Sequence, residues 1–176
     1  MAEVISKRLV ELIERNADRL ANAWLADVKD RPETRTYRTY PDDVLHRRVY
    51  EVYKNLGKWI SRQTTVEEIA SVYTALGCQR YREGFALSEV LEALILTRRH
   101  LWLLVLKEGF LETALDLQAA LDLNARAVLF FDRSMYYTAV GYEKATAAAS
   151  EAATRLAPPE PVPRGWFAWL QRGRSS

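Results

Sequence analysis

The sequence predicts an all-α fold, a bundle of about five helices with a long helix at the C-terminal end, and three observations predict it. Proline and glycine are sparse. The 176 residues include six prolines and seven glycines, and four of the prolines lie between Pro158 and Pro163, so only Pro32 and Pro41 interrupt what comes before. Apolar residues recur at three- and four-residue spacing through most of the first 157 positions, and no alternating run is long enough to specify a strand. With 49% apolar and 27% charged residues, such a chain is expected to bury one ordinary core.

The first predicted helix runs from about Glu3 to Lys29, with Ile5, Leu9, Leu12, Ile13, Leu20, Trp24 and Val28 on one face, and stops before Pro32. The polar segment RPETRTYRTYP reads as a loop whose Tyr37 and Tyr40 lie over the core. Asp42 or Asp43 opens a second helix through Leu45, Val49, Val52, Leu56, Trp59 and Ile60 to about Arg62. Thr64 with Glu67, or Thr65 with Glu68, has capping-box spacing and opens a third, which Gly84 is placed to stop. The fourth starts at Ser88 and closes at Gly109. Leu91, Leu94, Leu101 and Val105 make its core stripe, while Leu96 and Leu103 fall on the opposite face among charged residues. A helix apolar on two sides is expected to be buried twice, so Leu96 and Leu103 are the candidate self-association residues. The last helix, from about Ala119 to Leu156, would be on the order of 57 Å long at 1.5 Å per residue, and its alanine-rich end is expected to project or to pair with a partner.

Composition narrows the chemistry. One cysteine, Cys78, excludes a disulfide framework, an iron–sulfur cluster and a cysteine zinc site, and fits a reducing cytoplasm. No apolar run reaches the length of a membrane span, and acids near the start do not fit a signal peptide. Of 25 basic and 23 acidic residues, positions 158–176 hold three arginines and one glutamate, leaving residues 1–157 neutral. A neutral body has no electrostatic footprint for nucleic acid.

No catalytic constellation is present, so the chain is expected not to be an enzyme and to need no cofactor or metal. His46 and His100 are the only imidazoles. They read as boundary residues making ordinary hydrogen bonds, and in the alternative reading one of them is a haem ligand. The carboxylate pairs Asp42–Asp43 and Glu67–Glu68 sit where helices begin, which the macrodipole favours. Arg80, Arg98, Asp132 and Arg133 are expected to form a partly buried ion network, or an anion-binding sensor pocket, joining the third, fourth and last helices. Cys78 reads as a small buried apolar side chain.

The C-terminal segment is the least ordinary feature. After the stiff spacer APPEPVP, the residues RGWFAWLQRGRSS place Trp166, Phe167, Trp169 and Leu170 on one helical arc, with Arg164, Gln171 and Arg172 opposite. Residues 158–176 are therefore expected to be a separate tail. Trp166, Phe167, Trp169, Leu170 and Arg172 are its candidate docking residues for a membrane surface or a membrane-bound protein complex.

The strings YRTYPDDVLHRRVYEVYKNLGKWI, YTALGCQRYREGFALSEVLEALILTRRHLW and TALDLQAALDLNARAVLFFDRSMYYTAVGYE carry a resemblance across roughly residues 5–145. They resemble the N-terminal domain of RsbRD-type proteins, the RsbT co-antagonists, a family of helical sensor or regulatory domains. The resemblance implies a non-enzymatic bundle, of which a globin-like form without haem is one version, acting through protein contacts. Such a protein is expected to continue into a phosphorylatable output domain, whereas here the tail follows residue 157, so a binding role is what carries over. The expected function is a cytoplasmic regulatory or accessory module that binds protein partners or a second copy of itself, with the tail bringing it to the cytoplasmic face of a membrane. The alternative is a haem or small-molecule sensor holding its ligand between the second, fourth and last helices.

Overall fold

The computed structural model describes residues 2–61, 64–108 and 111–156, with side chains from Lys7 to Arg155, and all of their regular structure is helical. Residues 1–146 form one compact unit. A second begins at Ala147, and its described residues through Arg155 are exposed.

The first predicted helix is two: α1 (Ala2–Arg15) and α2 (Ala17–Asp30). The break is one residue wide. Asn16, at φ −101° and ψ 15°, keeps its backbone N–H on Leu12 and Ile13, and its side-chain amide also donates to Leu12 O at 2.8 Å. The same device recurs between α4 (Asp42–Lys54) and the short α5 (Leu56–Trp59), with α3 (Arg35–Thr39) lying before them. There Asn55, at φ −111°, donates its side-chain amide to Glu51 O at 2.9 Å. An asparagine that bonds the carbonyl four residues back competes with the backbone for it and turns the helix without ending the apolar pattern. The segment expected as a loop is instead a 3₁₀ turn, Pro32–Thr34, followed by α3, which buries Tyr37.

Helix α6 (Val66–Arg82) begins with a capping box in the second of the two expected registers: Thr65 Oγ1 accepts from Glu68 N at 3.2 Å and a Glu68 carboxylate oxygen accepts from Thr65 N at 2.9 Å. It ends at Gly84, φ +82°, with Phe85 N donating to Arg80 O and Gly84 N to Tyr81 O, the paired bonds of a Schellman stop. Helix α7 (Leu87–Glu108) starts one residue before Ser88, and its cap is Glu89, whose carboxylate accepts from Ala86 N at 3.1 Å. Helix α8 (Ala114–Leu156) starts five residues before the expected Ala119 because Thr113 and Asp116 cap it reciprocally.

Leu9, Ile13, Leu20, Trp24 and Val28 from α1 and α2 are buried together with Leu45, Val49, Tyr53 and Leu56. Helix α2 packs most extensively on α4 and then on α7. Two buried side chains fasten α7 to this layer: Trp24 Nε1 donates to Ala93 O at 3.0 Å and the Tyr53 hydroxyl donates to Thr97 O at 2.9 Å. On the other side α6 and α8 approach to backbone contact. A Cβ on Gly77 would lie 2.0 Å from Thr138 O, and one on Gly141 would lie 2.0 Å from Thr74 O.

Candidate functional site

Two cross-links fix the direction of α7 against α8. The Tyr142 hydroxyl donates to Phe85 O at 2.9 Å, just before α7, and Arg98 Nη1 reaches Asp132 Oδ1 at 3.1 Å ten residues earlier on α8. The helices are therefore antiparallel, and each turns an apolar stripe away from the core. Ile95, Leu103 and Leu106 are exposed on α7, and Leu117, Leu121, Leu129 and Tyr136 on α8, Leu121 being 56% and Tyr136 64% exposed. Their spacing on α8, by four, eight and seven residues, repeats one helical face opposite the buried Ala120, Leu123, Ala127 and Ser134. This face, with the Arg98–Asp132 pair spanning the seam, is the candidate interaction surface.

The self-association pair needs a correction. Leu103 is 48% exposed and belongs to the face, but Leu96 is 1% exposed and lies in the core. Both sit on one flank of α7, seven residues apart; the chain covers that flank at the level of Leu96 and leaves it open two turns later. A helical wheel cannot distinguish these levels, because it projects them onto one point.

The expected ion network also divides. Arg98 pairs with Asp132, while Arg80 turns elsewhere and joins Arg48 on a single carboxylate. Arg48 gives Nη2 to Glu83 Oε1 at 2.6 Å and Nη1 to Oε2 at 3.0 Å, and Arg80 gives Nη1 to Oε2 at 2.8 Å. Burial acts to raise the Glu83 carboxyl, but the hydrogen bond from Arg48 and the charge of Arg80 outweigh it, so Glu83 titrates below its ordinary value. Burial, and then the charge of Arg48, hold the Arg80 guanidinium below its own. The i, i+3 spacing of Arg80 and Glu83 is readable in the sequence, whereas Arg48, 35 residues from Glu83, is placed by tertiary packing alone. Arg133 lies apart from this cluster, in a cleft of about 420 Å³ with Trp59, Phe130 and Leu129.

Both histidines face carboxylates of α2. His46 Nε2 is 3.2 Å from Asp18, and its ring stacks on Tyr50. His100 Nε2 is 3.0 Å from Asp27 Oδ2, and Arg31 Nε donates to Oδ1 of the same carboxylate at 2.8 Å. Burial acts to raise the Asp27 carboxyl, but these two hydrogen bonds together hold it below its ordinary value. Neither imidazole borders the 420 Å³ cleft or the spaces beside Arg48 and Arg80. Cys78 is half-buried, its Sγ 3.0 Å from Gly141 O. Among the described residues no cluster of three or more His, Cys, Asp and Glu is arranged to hold a metal ion, and no helix is long and apolar enough to cross a membrane. Trp166, Phe167, Trp169, Leu170 and Arg172 lie outside the described residues.

Residues 14–157 match the family described as the RsbT co-antagonist protein rsbRD N-terminal domain. No curated protein and no solved structure matches the chain.

Proposed function

The chain belongs to the rsbRD N-terminal domain family, a family of regulatory signalling domains, and from that premise we propose a non-catalytic module that acts by protein contact through the outer face of α7 and α8. The observation that carries this reading is the paired stripe of Ile95, Leu103, Leu106, Leu117, Leu121, Leu129 and Tyr136. Scattered surface leucines are ordinary, but seven large apolar side chains exposed on two antiparallel helices joined by the Arg98–Asp132 pair are more than such scatter, and exposed apolar surface of this kind suits an interface. The occupant we assign to it is a second copy of this chain. Two antiparallel hairpins related by a two-fold axis would close a four-helix layer in which the same stripe meets itself, and an isologous contact needs only one such surface.

Light scattering of the full chain at tens of micromolar tests this. A dimer is expected, and Leu103→Glu with Leu121→Glu should give a folded monomer, because both side chains are already in water and their loss leaves the core intact. A wild-type monomer, or a double variant that remains dimeric, overturns the reading.

The tail belongs to the same proposal as its address. Residues 1–157 carry no net charge while positions 158–176 carry a net +2 with Trp166, Phe167, Trp169 and Leu170. Each of those side chains can contribute roughly 1.5–3 kcal/mol when buried, which suits reversible attachment to a membrane surface or a complex seated on one. Deleting residues 158–176 should move the protein from the membrane to the soluble fraction and leave its melting temperature unchanged. Retention of the truncated chain on membranes removes the tail from the proposal.

A further inference from the structure

A cavity of about 70 Å³ lies among α2, α4, α6 and α7, and its apolar wall includes Leu45, Val49, Val52, Leu76 and Leu94. A surface groove of about 420 Å³ runs beside it between α4 and α6. Arg48, Val52, Leu76 and Arg80 border both spaces, so the cavity meets the groove at a rim that carries two guanidinium groups.

Two guanidinium groups and two carboxylates, Glu83 and Glu89, lie around Tyr37, so the formal charges balance, but the arginine donors outnumber the acceptors offered to them. Glu83 accepts three hydrogen bonds from the two arginines and is the carboxylate they share. Glu89, the buried carboxylate of α7, spends its two oxygens on the backbone N–H groups of Thr36 and Ala86. Arg80 has a side chain only 10% exposed, and among the described residues its one hydrogen bond is to Glu83. A guanidinium has five N–H donors, so Arg80, whose Cζ also lies 5.9 Å from the centroid of the Phe85 ring, has donors beyond the one that Glu83 takes. A cation is disfavoured beside two arginines, and a neutral apolar molecule would leave those donors unused. An anion with an apolar tail uses both parts of the space.

We propose that this site binds a small monocarboxylate of about four carbons, with its carboxylate on Arg80 and Arg48 and its alkyl chain in the cavity. Guanidinium and carboxylate match in geometry, and a monovalent head suits a rim with one carboxylate already in place. Chain length follows from volume. A cavity of roughly 150 Å³ accepts six-carbon benzene, so about half that volume accepts about three carbons beyond the carboxylate. The site is separate from the outer face of α7 and α8, and a result at either leaves the other standing.

Thermal melting of the full chain, in sodium salts from acetate to octanoate at matched ionic strength, tests the proposal. Butyrate should raise Tm in a saturable way with affinity on the order of 1 mM. Acetate and octanoate should do so less, and inorganic phosphate and n-butylamine not at all. Arg80→Met should abolish the butyrate shift. Val49→Ile adds one carbon to the cavity wall and leaves both arginines, so it should move the best ligand from four carbons to three. No shift with butyrate, an equal shift with phosphate, or an equal butyrate shift in Arg80→Met overturns the site. Should Arg80→Met fail to fold, Val49→Ile decides: an unchanged chain-length profile overturns it.

Discussion

Helix α6 packs against α8 with backbone touching backbone, whereas toward α4 it stands off behind long side chains and leaves a groove and a cavity. At the first contact the interface residues are Thr74, Gly77, Thr138 and Gly141, and no space remains even for a methyl group. At the second they include Val72, Leu76, Gln79 and Arg80 on α6, facing Arg48, Glu51 and Val52 on α4. The side chains at a helix contact set the axial distance. One helix can therefore hold a locked joint and an open one, and the open one is where a ligand or a movement has room.

Adding a single methyl group to the locked side should have the largest effect. Gly77→Ala puts a carbon 2.0 Å from Thr138 O and 2.8 Å from Tyr142 N, backbone atoms that cannot rotate away. The helices must separate, and every contact along the crossing loosens with them. Overpacking of this kind costs about 3 kcal/mol, and at 2–4 °C per kcal/mol the midpoint should fall by roughly 6–12 °C. Gly141→Ala should do the same from the other helix. A calorimetric midpoint within about 2 °C of wild type for both variants would break the comparison at its locked end.

How legible these two joints are in the sequence differs, for physical reasons. The ends of α6 are local and were readable: the Thr65–Glu68 box and the Gly84 stop are set by residues within one turn. The apolar face of α2 was readable in the same way. Breaks at Asn16 and Asn55 were not, because the apolar spacing continues across each and only the amide side chain marks the turn. Gly77 and Gly141 look like weak points inside two separate helices, and their close approach exists only after those helices cross. The open joint was half visible. Arg80 with Glu83 is a local pair, but Arg48 reaches it through the fold, and the network expected with Arg98, Asp132 and Arg133 lost Arg80 to that nearer partner. The leucines of α8 carry a usable signal in their repeating interval, but a repeat along a helix does not by itself say which of its faces the fold leaves open.

The second effect, smaller, concerns the charges of the open joint. Glu83→Gln keeps a hydrogen-bond acceptor but leaves Arg48 and Arg80 as neighbouring cations without their carboxylate. A fully buried pair broken in this way costs about 3–5 kcal/mol. With side chains 24% and 18% exposed at Arg48 and Glu83, solvent screens part of it, and about 2 kcal/mol is expected. Acid should reveal the same group in the wild type. The folded-state value of Glu83 lies below its unfolded value, so its stabilisation is complete above the ordinary carboxylate range and disappears as pH falls through the lowered folded value. Asp27 behaves likewise through Arg31 and His100. Denaturant midpoints measured from pH 7 downward should therefore fall more steeply in wild type than in Glu83→Gln, with the Asp27 contribution common to both. Parallel curves would mean that Glu83 is not held by its arginines.

The smallest effect has the opposite sign and uses the same chemical change as the first. Val49→Ile also adds one carbon, but Val49 borders the 70 Å³ cavity and is 4% exposed, so the new methyl group enters empty space instead of a backbone. The substitution keeps a β-branched side chain in a helix, so the backbone preference is unchanged. Burying one CH₂ is worth about 0.8 kcal/mol, less whatever strain the fit introduces, so a gain of about 0.5 kcal/mol and a rise of roughly 1–2 °C in Tm are expected without ligand. Gly77→Ala and Val49→Ile should thus move the midpoint in opposite directions. If Val49→Ile destabilises by more than about 1 kcal/mol in a denaturant titration, the space beside Arg80 is already packed, and the open joint differs from the locked one only in kind of side chain.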